Sequence, residues 1–226
     1  MKITYYGHSC FGLETEGTHL LFDPFITPNS LASSVDVSGI KADYILISHG
    51  HEDHVADAVD IAKRTGAMVI AAYEIAGWFA EKGVEKTHGM NLGGGMDFPF
   101  GRVKFVKAVH SSVLPDGTYG GNPGGFVLSL PGKTVYYAGD TALTLDMKLL
   151  AESFDIDLAF IPIGDNFTMG VDDAIKAAKF VKCNKVIGMH YDTFPPIRID
   201  KAAAVKKFSD ADVELTLMEI GQTNDV

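Results

Sequence analysis

Residues 44–54, YILISHGHEDH, run an apolar stretch straight into three histidines and two carboxylates, packed into the six positions from His49 to His54. The apolar part reads as a buried strand, and titratable side chains rarely gather behind one without something to hold them together. The same arrangement recurs along the chain. VKFVKAVH ends at His110, TVYYAGD at Asp140 and KVIGMH at His190. Four separate apolar strands thus finish in side chains able to bind a metal ion. Strands place their last residues rigidly, and the loops that follow leave room for a substrate. The fold must therefore be built on sheets whose functional residues collect at one edge.

The remaining pattern agrees. KITYYG (2–7), CFGLET (10–15) and THLLFDP (18–24) read as strands, the last two joined by a Gly-containing hairpin turn. PFITPNSLASSVD (24–36) reads as a loop, HVADAVDIAKRTG (54–66) as one helix, AMVIAA (67–72) as a buried strand and YEIAGWFAEKG (73–83) as a helix. NLGGGM (91–96) is followed by no GK[ST] and no helix, so it reads as a tight hairpin turn rather than a phosphate cradle, and YGGNPGG (119–125) as a flexible loop. Helices are expected over 144–154, 170–182 and 199–208, with a last strand at 213–219. Each half starts rich in strands and ends in alternating strands and helices, the pattern of stacked sheets covered by helices. With 226 residues and no evident linker, residues 1–226 read as one domain.

Composition narrows the partners. A formal net charge of −10, with the Lys and Arg residues scattered, disfavours nucleic acid. No apolar run approaches the roughly 18–20 residues that span a bilayer, so no membrane partner is expected. MKITYYGHSC lacks an apolar leader core, and Cys10 and Cys183 lie far apart, outside any metal spacing. A cytoplasmic protein without signal peptide or disulfide is the expectation, with both thiols as small buried hydrophobes.

Neutral imidazole and carboxylate suit Zn, and also Mn, Fe or Ni. His49 and His51 point to one side if the backbone stays extended, and Gly50 between them permits unusual backbone angles. Adjacent residues seldom converge on one ion, so His49/His51 and Asp53/His54 are expected to serve two. Those four with His110, Asp140 and His190 make seven ligands, too many for one tetrahedral ion. A carboxylate can bridge two ions, and Asp140 is the candidate.

HGHEDH, followed in order by His110, Asp140 and His190, resembles the His-x-His-x-Asp-His signature and later motifs of the metallo-β-lactamase superfamily. The likeness covers essentially the whole chain. YGHSCF, DPF, GDNFTMG and MHYDTFP look like a branch of metal-dependent hydrolases similar also to the ascorbate-6-phosphate lactonases. The resemblance implies an α/β (α+β) fold, a four-layer αββα sandwich with a dinuclear site at one edge of its sheets. It implies that His49, His51 and His110 bind the first ion and Asp53, His54 and His190 the second, with Asp140 bridging. Glu52 would face away. The expected activity is hydrolysis of an ester-type bond (lactone, thioester or phosphate ester) in a small, anionic substrate by metal-activated hydroxide.

Beyond the ligands, Asp53 is a candidate proton shuttle, and His8, at the end of the first strand, has two readings: a pocket residue holding a substrate oxygen, or a strand-end side chain satisfied by backbone. Asn166 and Thr168 line the pocket or form an Asp/Asn turn, and Phe167, Met169 and Phe194 wall the pocket or belong to the core. Asp23 reads as structural, bonding loop amides or a metal-bound histidine. His19 and His88 read as no ligands. A phosphodiesterase or nuclease is the alternative enzyme, and a non-hydrolytic metal-binding or sensor protein the alternative class. A homo-oligomer remains an open expectation.

Overall fold

The computed structural model describes residues 1–226. Strands β1 (Lys2–Gly7), β2 (Cys10–Thr15), β3 (Thr18–Phe22), β4 (Tyr44–Leu46), β5 (Met68–Ala72) and β6 (Thr87–Met90) come first, with helices α1 (Glu52–Val55), α2 (Ala58–Thr65) and α3 (Tyr73–Glu81) among them. Next come β7 (Gly95–Phe98), β8 (Gly101–Lys107), β9 (Gly124–Leu130), β10 (Lys133–Tyr137), β11 (Leu158–Pro162), β12 (Lys185–Met189) and β13 (Glu214–Thr216), interspersed with α4 (Asp146–Ser153), α5 (Val171–Phe180) and α6 (Lys201–Asp210). β14 (Thr223–Asp225) ends the chain. These elements form two compact units, one of residues 1–94, 111–123 and 219–226, the other of 95–110 and 124–218.

The first unit holds one seven-stranded sheet in the order β14-β1-β2-β3-β4-β5-β6. β1 to β3 are antiparallel neighbours, and β3 to β6 run parallel. Parallel strands are covered on both faces, which is why YILI and AMVIAA are continuously apolar. Ile45, Leu46, Val69 and Ile70 are fully buried. α3 lays Ile75 and Phe79, one helical turn apart, against β5 and β6. Burying each contributes about 1.5–3 kcal/mol. Because β1, β3, β4 and β5 all run the same way, their C-terminal ends share one edge. The chain leaves that edge at His8, Asp23 and Ile47.

The second unit repeats the plan with the order β13-β12-β11-β10-β9-β8-β7. β10 to β13 are parallel, and β8 and β10 are each antiparallel to β9. β11 is buried at every position. α5 sets Ala174, Ala177 and Ala178 against it, and α6 buries Ala204 and Phe208 beside β13 and α5. Asp200 caps α6 by accepting the Ala203 N–H at 2.9 Å, a bond contributing about 1 kcal/mol. Here β8, β10, β11 and β12 end at a common edge, followed by His110, Asp140, Gly164 and His190.

Four expectations need correction. The helix expected over 54–66 is two helices, because the Asp57 N–H donates to the Pro24 carbonyl (3.1 Å) and breaks the ladder. The turn in NLGGGM closes with a bond from Gly94 N–H to Asn91 C=O (2.9 Å), but it is no hairpin, since β6 and β7 belong to different sheets. YGGNPGG is packed rather than loose. Its Gly124 and Gly125 open β9, where a Cβ on Gly125 would strike the carbonyls of Tyr137 and Ala138 at 2.5 and 2.7 Å. The strand at 213–219 is confined to Glu214–Thr216, and the last strand is β14, paired with β1. Cys10 and Cys183 are buried and form no disulfide, and burial pushes both thiols up. No helix is long and apolar enough to cross a membrane.

Candidate metal centre

In the first unit the centre is organised by a buried carboxylate. Asp23, directly after β3, is fully buried and takes a left-handed backbone (φ 40°). It accepts three hydrogen bonds, from Ser48 N–H (2.8 Å), Ser48 O–H (2.5 Å) and His54 Nδ1–H (2.8 Å). Ser48 has one hydroxyl proton, and it goes to Asp23. The 2.9 Å contact between Ser48 Oγ and His49 Nδ1 therefore carries the histidine's proton. One carboxylate thus fixes two tautomers. His54 directly, and His49 through Ser48, each hold their proton on Nδ1 and present Nε2 as the lone-pair nitrogen.

Those nitrogens meet other ligand-type atoms. His49 Nε2 lies 3.0 Å from His51 Nδ1. His54 Nε2 faces Asp53 Oδ1 at 4.0 Å, beyond hydrogen-bond reach. The ligand atoms of Asp23, His49 and His54 lie within 4.8 Å of one another, as do those of His8, Asp53 and His54. A carboxylate oxygen set opposite the lone-pair nitrogen of a buried histidine is repulsive unless a cation is shared between them. The residues therefore fit a divalent metal ion.

His8 follows β1 with φ 55° and is 1% exposed. Its Nε2 lies 3.2 Å from Asp53 Oδ2, a side-chain partner that neither sequence reading foresaw. The Asp53 side chain is 26% exposed, which leaves it open to solvent while Oδ2 meets His8. Glu52 is exposed at the start of α1, as expected.

In the second unit Asp140 and His190 are nearly fully buried. Asp140 Oδ2 lies 2.9 Å from His190 Nε2 and 3.6 Å from His110 Nε2. One carboxylate oxygen thus sits between two imidazole nitrogens. His190 takes φ 57° immediately after β12. Left-handed backbone at a non-glycine residue costs about 1–3 kcal/mol and persists where the surroundings enforce it. Asp165 and Asn166 form a left-handed turn (φ 63° and 53°), in which Asn166 N–H donates to Asp165 Oδ1 at 2.8 Å. Asn166 and Phe167 are exposed, Thr168 and Phe194 half-buried, and Met169 is in the core. His19 and His88 are half-buried on β3 and β6, away from the strand ends that carry the candidate ligands. Sequence reasoning missed Ser48, since serine before a histidine carries no signal of its own.

Comparison with known proteins accords with this geometry. The sequence model of the beta-lactamase superfamily domain matches residues 2–190. A UPF0173 metal-dependent hydrolase of Christiangramia forsetii is 53% identical over 224 residues, covering 99% of each chain. Another, from Methylacidiphilum infernorum, is 52% identical over 223 residues with the same coverage. The solved structure of Igni18, a metallo hydrolase from the archaeon Ignicoccus hospitalis, is 36% identical with a TM-score of 0.90, over 99% of this chain and 97% of that one. The two helix-flanked mixed sheets are those of the metallo-β-lactamase fold, as the sequence led one to expect. The chain belongs to the metallo-β-lactamase superfamily and, within it, to the UPF0173 metal-dependent hydrolases.

Proposed function

We propose that His49, His51, Asp53, His54, His110, Asp140 and His190 hold two divalent cations, and that the protein hydrolyses an ester-type bond (a lactone, thioester or phosphate ester) in a small, anionic molecule. His49, His51 and His110 serve the first cation, Asp53, His54 and His190 the second, and Asp140 both. Zinc is the first choice, with Mn, Fe and Ni as alternatives for a His/Asp set. The observation that carries the reading is the tautomer control by Asp23, which turns the Nε2 atoms of His49 and His54 into ligand nitrogens.

When bound, two such cations lower the pKa of water from 15.7 to about 7 and polarise a substrate oxygen. The chain's own residues do the rest. Asp53 keeps Oδ1 toward His54 and Oδ2 toward His8. Its partial exposure suits it to carry a proton to the leaving group, with His8 Nε2 orienting Oδ2. No serine or cysteine nucleophile is needed, in keeping with the buried, unreactive thiols. The free cysteines support a cytoplasmic location, and the −10 charge supports a small-molecule substrate over nucleic acid.

The test is a panel of lactones, thioesters and phosphodiesters offered to metal-loaded protein. Turnover of one class, lost with a chelator and restored by Zn or Mn, supports the proposal. Cleavage of structured RNA alone, or no turnover by protein carrying two ions, contradicts it.

A further inference from the structure

The segment after His110 returns to the first unit as a strap across the HGHEDH loop. Ser112 Oγ accepts from Gly50 N–H (3.1 Å) and donates to the Gly120 carbonyl (2.9 Å). Leu114 packs where a Cβ on Gly50 would sit, its Cγ 3.1 Å away. Val113 and Tyr119 close the strap as an antiparallel bridge. Asp116 anchors its tip to α3, accepting from Trp78 Nε1–H at 2.7 Å and from Lys82 Nζ at 3.0 Å. The strap holds one more side chain in place: Ser111 Oγ lies 3.2 Å from His51 Nε2.

We propose that Ser111 is a positioning residue that accepts the His51 Nε2–H and thereby makes His51 Nδ1 the metal-binding nitrogen. The geometry calls for such a partner. His49 binds through Nε2, its tautomer set by Ser48 and Asp23. His51 brings its other nitrogen, Nδ1, to within 3.0 Å of that Nε2. A neutral imidazole carries one proton. If it sat on Nδ1 it would close a bond to His49 and withdraw both nitrogens from a cation. An acceptor at Nε2 draws the proton to the far side and leaves two lone pairs side by side. Ser48 does this for His49 from the loop after β4, and Ser111 does it for His51 from the strap. This inference rests on the proposal that His51 is a metal ligand.

Nitrogen-15 NMR of the histidine side chains, on protein without metal and after Zn addition, reads the tautomers directly. In the wild type, Zn is expected to shift the His51 Nδ1 resonance and leave Nε2 protonated. Ser111→Ala should show a mixed His51 tautomer without metal and about 10-fold weaker binding of one Zn in a chelator competition, as loss of a ligand's supporting partner does. Ser111→Thr, which keeps the hydroxyl, should restore both. Unchanged His51 shifts and Zn affinity in Ser111→Ala, with native circular dichroism, would overturn the assignment. If Zn leaves His51 unmoved in the wild type, the ligand set itself is wrong, a separable result. Equal losses in Ser111→Ala and Ser111→Thr would mean that packing, not the hydroxyl, matters, and would also overturn it.

Discussion

His54 Nδ1 donates to Asp23 Oδ2 across 2.8 Å, and both side chains are wholly buried. The same carboxylate takes the Ser48 hydroxyl, so one residue sets the tautomers of both His54 and His49. Asp23 and Ser48 thus fix the orientation of two histidine rings at the edge of the first sheet.

Asp23→Ala leaves three buried donors without an acceptor. Each such donor costs about 1–3 kcal/mol, so the protein should lose roughly 3–9 kcal/mol of stability in chemical denaturation. Asp23→Asn keeps the shape and an acceptor oxygen and should lose less. Zn affinity measured against a competing chelator should still fall by about 10–100-fold. Unaltered affinity in Asp23→Asn would show that the carboxylate does not set the tautomers.

Gly164 reports on His190. A Cβ at this position would overlap the His190 carbonyl oxygen and reach 3.0 Å from Ile197 Cβ. Gly164→Ala must push the His190 backbone away from its left-handed position. We expect about 1–3 kcal/mol of destabilisation and weaker retention of one metal ion on dialysis. Full retention would separate the His190 backbone from the centre.

His8→Ala removes the partner of Asp53 Oδ2. The expected result is a fall in kcat of about 100-fold or more, with the metal content kept and KM changed little. If kcat holds at the wild-type value, His8 only fills space beside Phe25, whose ring lies 5.6 Å away.

The strap is pH-dependent through Asp116. Bonds from Trp78, Thr118 and Lys82 hold its carboxyl well below the usual carboxylate range. A depressed folded-state pKa adds stability that is present above the unfolded value, about 3.9, and is lost as pH falls toward the folded one. The Tm difference between wild type and Asp116→Asn should be constant from pH 5 to 8, shrink below about pH 4 and vanish at stronger acid. A difference that grows on acidification would reverse the assigned sign.

How much of this could be read from the residues follows from where the determinants lie. Apolar runs ending in His49, His110, Asp140 and His190 are local signals, and the strands end within a few residues of those positions. The break between α1 and α2 was hidden, because the Pro24 carbonyl that captures the Asp57 amide is 33 residues away. β14 was hidden as well. TND has no apolar alternation and becomes a strand only by pairing Thr223, Asn224 and Asp225 with Thr4, Ile3 and Lys2. The candidate ligands stood out because few side chains bind metal. Ser48 and Ser111 did not, because a hydroxyl acquires its role only from the histidine that the fold brings to it.

We propose a centre of two cations held by His49, His51, Asp53, His54, His110, Asp140 and His190. It is tested most directly by counting metal ions per chain in the wild type and in Asp140→Ala, by elemental mass spectrometry on protein purified without added chelator. The account predicts two ions in the wild type and fewer than one in the variant, with circular dichroism unchanged. A wild type that binds none under Zn or Mn saturation, or a variant that still binds two, would contradict it.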